Sequence, residues 1–229
     1  MKRVVSIILA LVICVVVSEE AFPVDISLGG RIKKPVKSFR EIKTQNIVKQ
    51  SFDYSCGPAS LATLFSYFFS DTVTEDEIIK GLLITVDLEK IKERKGFSLL
   101  DLKNYAKMRG YEVVGYKMDL EYLVSLNKPV LVPINIKDYS HFIIFRGLIG
   151  DRVFLADPAL GNMTMRVEKF LNLWQNGIGL VLSKADNQNP NAPLKLTEEE
   201  KAVFADPSMV GRTFGVDTLG NVHADGEFR

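Results

Sequence analysis

Between residues 50 and 183 the hydrophobic period changes once. From Gly57 to Gly110 the apolar residues recur at helical spacing, and from residue 111 onward they fall into short β-rich runs. A single switch of this kind admits few architectures, because each amphipathic element must bury its apolar side against another. Helices first and strands second predict an α+β fold, with N-terminal helices packed on a C-terminal antiparallel sheet.

The helical half carries three start signals. Gly57-Pro58 opens a stripe of Ala59, Leu61, Ala62, Leu64, Phe65 and Phe68, with the proline tolerated in the first turn. Thr74 and Glu77 form a capping box ahead of Ile78, Ile79 and Leu82. Ser98 and Asp101 open a third helix that stops at Gly110. Strands are expected over 111–118, 130–136, 141–148, 152–156, 163–167 and 178–183, with a short helix over 119–127. Gly150-Asp151 is a two-residue hairpin turn signal that folds 141–148 against 152–156. Trp174, Phe170 and Leu171 read as core, Phe65 to Phe69 as helix packing, and the charge run over 90–95 as a solvated face.

The ends read differently. Lys2 and Arg3 precede an apolar run over 4–17 broken only by Ser6. That length suits the core of a signal peptide better than a membrane span. Val16 and Ser18 fit the −3 and −1 positions, so cleavage after Ser18 is expected, with a cut near Ala21 or an uncleaved anchor as alternatives. Ile13 is too large to precede a lipidated Cys14. The organisation expected is a signal peptide over 1–18, a lead-in over 19–44 with one short strand, a folded domain over 45–184, and a polar C-terminal tail over 185–229, partly disordered or loosely docked. The expected compartment is the bacterial periplasm, with the membrane touched only through the signal segment if it is kept.

Composition removes several functions. With 29 Lys+Arg against 28 Asp+Glu the net charge is +1, which gives no basic excess for nucleic acid. Two cysteines make neither a disulfide framework nor a Cys-rich zinc site. No Gly-rich phosphate loop opens a helix, and His223 in the tail has no partner cluster. No cofactor and no metal are expected. If Cys14 leaves with the signal, Cys56 remains as a lone thiol in an oxidising compartment, where it is exposed to oxidation and asks for a reason.

Cys56 supplies one. It sits at a loop-to-helix junction, where the helix N-terminus favours a thiolate. The following Gly57 is expected to let a substrate backbone approach. His141 and Asp157 lie on the two arms of the predicted hairpin, near the same end of the sheet. A carboxylate there fixes the histidine tautomer, and the histidine draws off the thiol proton. Gln50, six residues before Cys56, can offer its amide N–H to an oxyanion beside the Cys56 backbone N–H.

Gln50, Cys56-Gly57-Pro58-Ala59, Tyr139-Ser140-His141-Phe142-Ile143 and Phe154-Leu155-Ala156-Asp157-Pro158-Ala159 with Gly161 together resemble the bacteriocin-processing, double-glycine leader peptidase family. The resemblance covers roughly 45–184 and implies a papain-like fold. It implies Cys56 as nucleophile, His141 as general base and acid, Asp157 as orienting acid and Gln50 as oxyanion donor. The chain departs from the family at Ser55, where aspartate is usual. Many members are domains of exporters, whereas this chain resembles stand-alone exported members that accompany secreted amyloid or pilus systems. The implied partner is a peptide or protein substrate, with a secretion-system component as a further one. The rival readings are a non-catalytic peptide-binding module on the same fold and a thioester-forming acyl or amide transferase.

Overall fold

The computed structural model describes residues 38–137, 139–185, 192–198, 200 and 201. The expected signal peptide, most of the lead-in and most of the tail lie outside the described residues.

Five helices come first. They are α1 (Phe39–Thr44), α2 (Cys56–Tyr67), α3 (Glu75–Leu83), α4 (Leu88–Arg94) and α5 (Leu99–Met108). The starts of α2, α3 and α5 are the ones the sequence signals. Thr74 and Ser98 each accept from the N–H three residues on, while Glu77 and Asp101 bond back to the cap residue. The charge run over 90–95 lies on and just after α4, where only Ile91 is buried. That helix follows an Asp87 cap.

Six strands follow: β1 (Glu112–Lys117), β2 (Val130–Ile136), β3 (Tyr139–Ile149), β4 (Arg152–Asp157), β5 (Gly161–Arg166) and β6 (Ile178–Ser183). They form one sheet in the order β1-β6-β2-β3-β4-β5, with every pairing antiparallel. Gly150-Asp151 is the β3–β4 turn, with Ile149 opposite Arg152 and Gly150 at φ 57°. Short helices α6 (Leu120–Ser125) and α7 (Val167–Leu173) lie between strands.

The sheet is buried on both faces. One core joins Leu61, Leu64 and Phe65 of α2, Ile78 and Leu82 of α3 and Leu102 of α5 to Leu131, Phe142, Ile144 and Ala156 of the sheet. The other joins Ile143, Phe145, Val153 and Leu155 to Leu123 of α6, Phe170 of α7 and Trp174. Alternating residues of β3 therefore serve opposite cores, as the two-residue period of a strand requires. Leu171, expected in the core, is 46% exposed. It neighbours Phe170 on a one-sided helix whose core side is Phe170, with Val167 and Leu173 packed beside it.

Two segments go beyond expectation. The described end of the lead-in is the helix α1, opened by a Ser38–Glu41 capping box, while residues 19–37 of the lead-in, with room for the expected strand, lie outside the described residues. Helix α1 covers the β5 edge, where Asn162 Nδ2 donates to the Ile42 and Gln45 carbonyls. Gly161 permits the approach, because a Cβ there would lie 2.4 Å from the Lys43 carbonyl oxygen.

The described tail residues dock firmly rather than loosely. The β3–β4 ladder skips one residue between Phe145 and Gly147, so Arg146 is the extra residue of a β-bulge. Its guanidinium pairs both Glu200 carboxylate oxygens and donates to the Leu194 and Lys195 carbonyls and to Asn162 Oδ1. Leu194 is buried, and its N–H bonds the Tyr67 carbonyl at the end of α2. Polar composition hid this, because the strap's fixing points are one leucine and an arginine on a distant strand. Leu194→Ala is expected to cost about 2–5 kcal/mol, the usual loss for a leucine truncated inside a core. Urea unfolding of the full chain measures it, and a loss near zero would mean the strap adds nothing to the fold.

Candidate active site

Cys56 is the first residue of α2. The Ser55 hydroxyl does not cap the helix; it turns back, donating to the Phe52 carbonyl and accepting from the Phe52 N–H. That closes the 52–55 turn and aims the chain into the helix. Two contacts draw α2 onto β3. The Ser60 hydroxyl donates to the Phe142 carbonyl at 3.2 Å. A Cβ on Gly57 would lie 2.9 Å from Leu102 and 3.2 Å from Phe142. Gly57 is thus a packing residue, buried between α5 and β3, and not the point of substrate approach that its place in the sequence suggests. Close packing at this turn sets the Cys56 sulfur beside His141.

His141 and Asp157 lie on the adjacent antiparallel strands β3 and β4. Ile143 is the position opposite Asp157 when the Ile144–Ala156 pairing is extended by one, so His141 is Asp157's diagonal neighbour on the same face. His141 Nε2 is 3.1 Å from Asp157 Oδ1. The same oxygen accepts the Ala159 and Leu160 N–H groups at 2.7 and 3.0 Å. The Asp-Pro turn and the histidine partner are therefore one carboxylate in two uses. With Nε2 held by Asp157, Nδ1 is the nitrogen left for the thiol, and the two side chains lie close enough that each shifts the pKa of the other. All three residues are buried, at 3%, 4% and 2% exposure for Cys56, His141 and Asp157.

The electrostatics follow. Burial pushes the Cys56 thiol up, but the hydrogen bond and charge of His141, helped by Tyr139 and the Phe142 backbone, bring it below its ordinary value. Burial pushes His141 down, yet Asp157 and Cys56 raise it to about 10. Burial lifts Asp157 as well, and His141 with the two backbone N–H groups more than offset this, holding it below the usual carboxylate range. Thiolate and imidazolium are thus favoured together, which makes the sulfur nucleophilic.

Gln50 sits in a loop fixed from three sides. Its N–H donates to the Pro158 carbonyl, just past Asp157. Lys49 Nζ donates to the Ala159 carbonyl. The Ser51 N–H is held by both oxygens of the buried Glu75 at the start of α3. Gln50 Nε2 donates to the Phe52 carbonyl at 3.2 Å, which leaves its second hydrogen for another acceptor. Gln50 Oε1 is the one buried side-chain polar atom without a partner among the described residues. Such an orphan is costly and tends to occur at functional sites.

Sequence reasoning did not single out Tyr139. Its hydroxyl oxygen lies 3.5 Å from the Cys56 sulfur and donates to the Asp53 carbonyl. The signal was available, since Tyr139 is two residues before His141 and a strand puts both on one face. A separate concavity of about 520 Å³, bordered by Ser51, Tyr67, Thr74 and Glu75, includes none of Cys56, His141 and Asp157. Among the described residues no cluster of His, Cys, Asp or Glu is arranged to hold a metal ion.

The helices-then-sheet architecture with a thiol at the helix start is that of a papain-like peptidase. Residues 44–187 match the Peptidase C39 family, and the chain belongs to it. Among curated relatives, the probable functional amyloid protease FapD of Pseudomonas fluorescens is 35% identical over 176 residues, covering 76% of this chain and 77% of its own. Among solved structures, a double glycine motif protease from an AMS/PCAT transporter, in complex with the leader peptide, is 25% identical with a TM-score of 0.51, covering 61% of this chain and 91% of that one. The peptidase domain of Streptococcus ComA, a bifunctional ABC transporter involved in quorum sensing, shares the fold at 22% identity and a TM-score of 0.52, over 60% of this chain and 97% of that one.

Proposed function

We propose that the protein is an exported cysteine endopeptidase that matures a peptide or a secreted protein. Cys56 is the nucleophile, His141 the base and then the acid, Asp157 the group that holds the imidazole, and Gln50 an oxyanion donor. The observation that carries this reading is the buried line from Asp157 through His141 to Cys56. The thiolate attacks the scissile carbonyl, and the carbonyl π pair moves to oxygen. That oxyanion is met by the Cys56 backbone N–H and the free hydrogen of Gln50 Nε2. Collapse expels the amine, which takes the proton from the His141 imidazolium. Water, deprotonated by His141, then hydrolyses the thioester.

The substrate class draws on the relatives. Likeness to a protein named as a probable functional amyloid protease supports a secreted, amyloid-type substrate and a secretion-system partner. Likeness to a double glycine motif protease bound to its leader peptide supports cleavage after small residues such as glycine. Export to the periplasm draws on Lys2, Arg3 and the apolar run over 4–17; N-terminal sequencing of the mature protein checks it.

The test is incubation of the full chain with peptides carrying a Gly-Gly site, read by product mass. Two fragments that together gain one water are the expected result. A fragment joined to an added amine would replace the peptidase with a transferase, and tight binding without cleavage would replace it with a binding module. Gln50→Ala is expected to lower kcat about a hundred- to a thousandfold with KM little changed, the usual loss of one oxyanion donor. A rise in KM alone would place Gln50 in substrate binding.

A further inference from the structure

Tyr139 opens β3, and its side chain leaves the strand on the same face as His141. Its ring is 6.1 Å from the His141 ring and 6.5 Å from that of Tyr54, centroid to centroid. The hydroxyl reaches across from the sheet to the turn before α2, 3.2 Å from the Asp53 carbonyl, and passes 3.5 Å from the Cys56 sulfur. A phenol has one hydrogen to donate, so the carbonyl and the sulfur compete for it. While the sulfur carries its proton, the carbonyl is the better acceptor. Once that proton has moved to His141, the sulfur is an ionised acceptor and the stronger claimant.

We propose that Tyr139 is a catalytic residue whose O–H swings from the Asp53 carbonyl onto the Cys56 thiolate and holds it ready for attack. This rests on Cys56 being the nucleophile. The step moves one proton, from Sγ to the His141 nitrogen that Asp157 does not hold. The phenol keeps its own proton throughout. When the sulfur attacks, the S–C bond forms and the O–H returns to Asp53. The groups facing this point are Asp53 and Tyr54 from the turn, Cys56 from α2 and His141 from β3, with Asp157 behind it. Burial first, and then the bond to Cys56, hold the phenol above its ordinary value, so it remains a donor wherever the thiolate exists.

A hydrogen bond to the thiolate has two opposing effects. It makes the thiolate form at lower pH, and it makes each thiolate less reactive, since nucleophilicity falls with pKa. A side chain that only shaped the site would not produce that pair of changes.

The experiment is the pH dependence of iodoacetamide alkylation in the full chain, read by mass on the peptide containing Cys56 so that Cys14 does not contribute. Tyr139→Phe keeps the ring and removes the hydroxyl; Tyr139→Ala removes both. In both variants the acid limb is expected to rise by about one pH unit. In the Phe variant the plateau rate is expected to rise about threefold. Its kcat/KM on a cleavable peptide is expected to fall about threefold below the limb, because the tenfold loss of thiolate is partly offset by the higher reactivity of each thiolate, and to recover above it. A Phe limb that coincides with wild type, with only the Ala variant displaced, would make Tyr139 a packing residue and overturn the inference alone. A wild-type Cys56 that titrates like a free thiol, near about 8.5, would overturn both the inference and the peptidase reading beneath it.

Discussion

Replacing Cys56 by alanine is expected to stop processing outright while leaving the fold in place. The loss expected is roughly a millionfold, the scale seen when the nucleophile of a cooperating set is removed. The fold survives because alanine is the best helix former and the change removes one buried sulfur atom at the first turn of α2. The decisive measurement is accumulation of unprocessed substrate in cells carrying the variant. Normal processing there would end the peptidase reading and leave a peptide-binding module. A second readout needs no substrate. Cys56 helps to raise His141 to about 10, so in the variant the imidazole must titrate lower, with Asp157 alone still lifting it. The chain has two histidines, His141 and His223, so two ring signals in NMR suffice to follow the shift.

How much of this was readable in the sequence depended on how far apart the interacting residues lie. His141 and Asp157 could be placed together because one hairpin joins them, and Gly150-Asp151 marks its turn. Cys56 could be placed at a helix start because the apolar stripe begins one residue later. Their convergence could not be read from periodicity. It depends on α2 pressing against β3 through Gly57 and Ser60, both of which meet Phe142, and no local signal encodes that contact. Only the resemblance of the combined motif supplied it. Gly57 shows the limit of the local view, since a glycine beside a nucleophile suggests room for substrate and here makes room for Leu102 and Phe142.

Tyr139 was missed for a different reason. The strand was expected to begin at His141, so the alternation was not carried back two residues to a side chain on the same face. The strap through Leu194 was hidden by its own composition: most of its bonds are backbone carbonyls and one glutamate satisfying Arg146. The Arg146 bulge that aims the guanidinium leaves no mark in the hydrophobic pattern. Ser55, the one departure from the family pattern, proved interpretable: it ties the turn to Phe52, whose carbonyl also receives Gln50 Nε2.

His141→Ala is expected to be nearly as severe as loss of the thiol, and its pH profile separates the two roles of the imidazole. In the wild type, kcat/KM should rise with pH as Cys56 ionises, on a limb below the ordinary thiol value, and fall again as the imidazolium loses its proton near about 10. The working window is thus the range in which thiolate and imidazolium coexist. Without His141, the largest remaining influence on Cys56 is burial, which raises its pKa. The acid limb must therefore move up, and the fall near 10 must vanish because nothing remains there to deprotonate. Above the displaced limb the thiolate is present but the amine leaves without a proton donor, so a deficit of about a hundred- to ten-thousandfold should persist at high pH. Asp157 keeps its Ala159 and Leu160 N–H bonds, so the turn it closes should survive the substitution. At neutral pH, below the displaced limb, adding Cys56→Ala to His141→Ala should cost far less than the roughly millionfold it costs alone, because the residues act as a unit. An unchanged bell in His141→Ala would sever the link between this imidazole and the thiol, and multiplying deficits in the double variant would mean that they act independently.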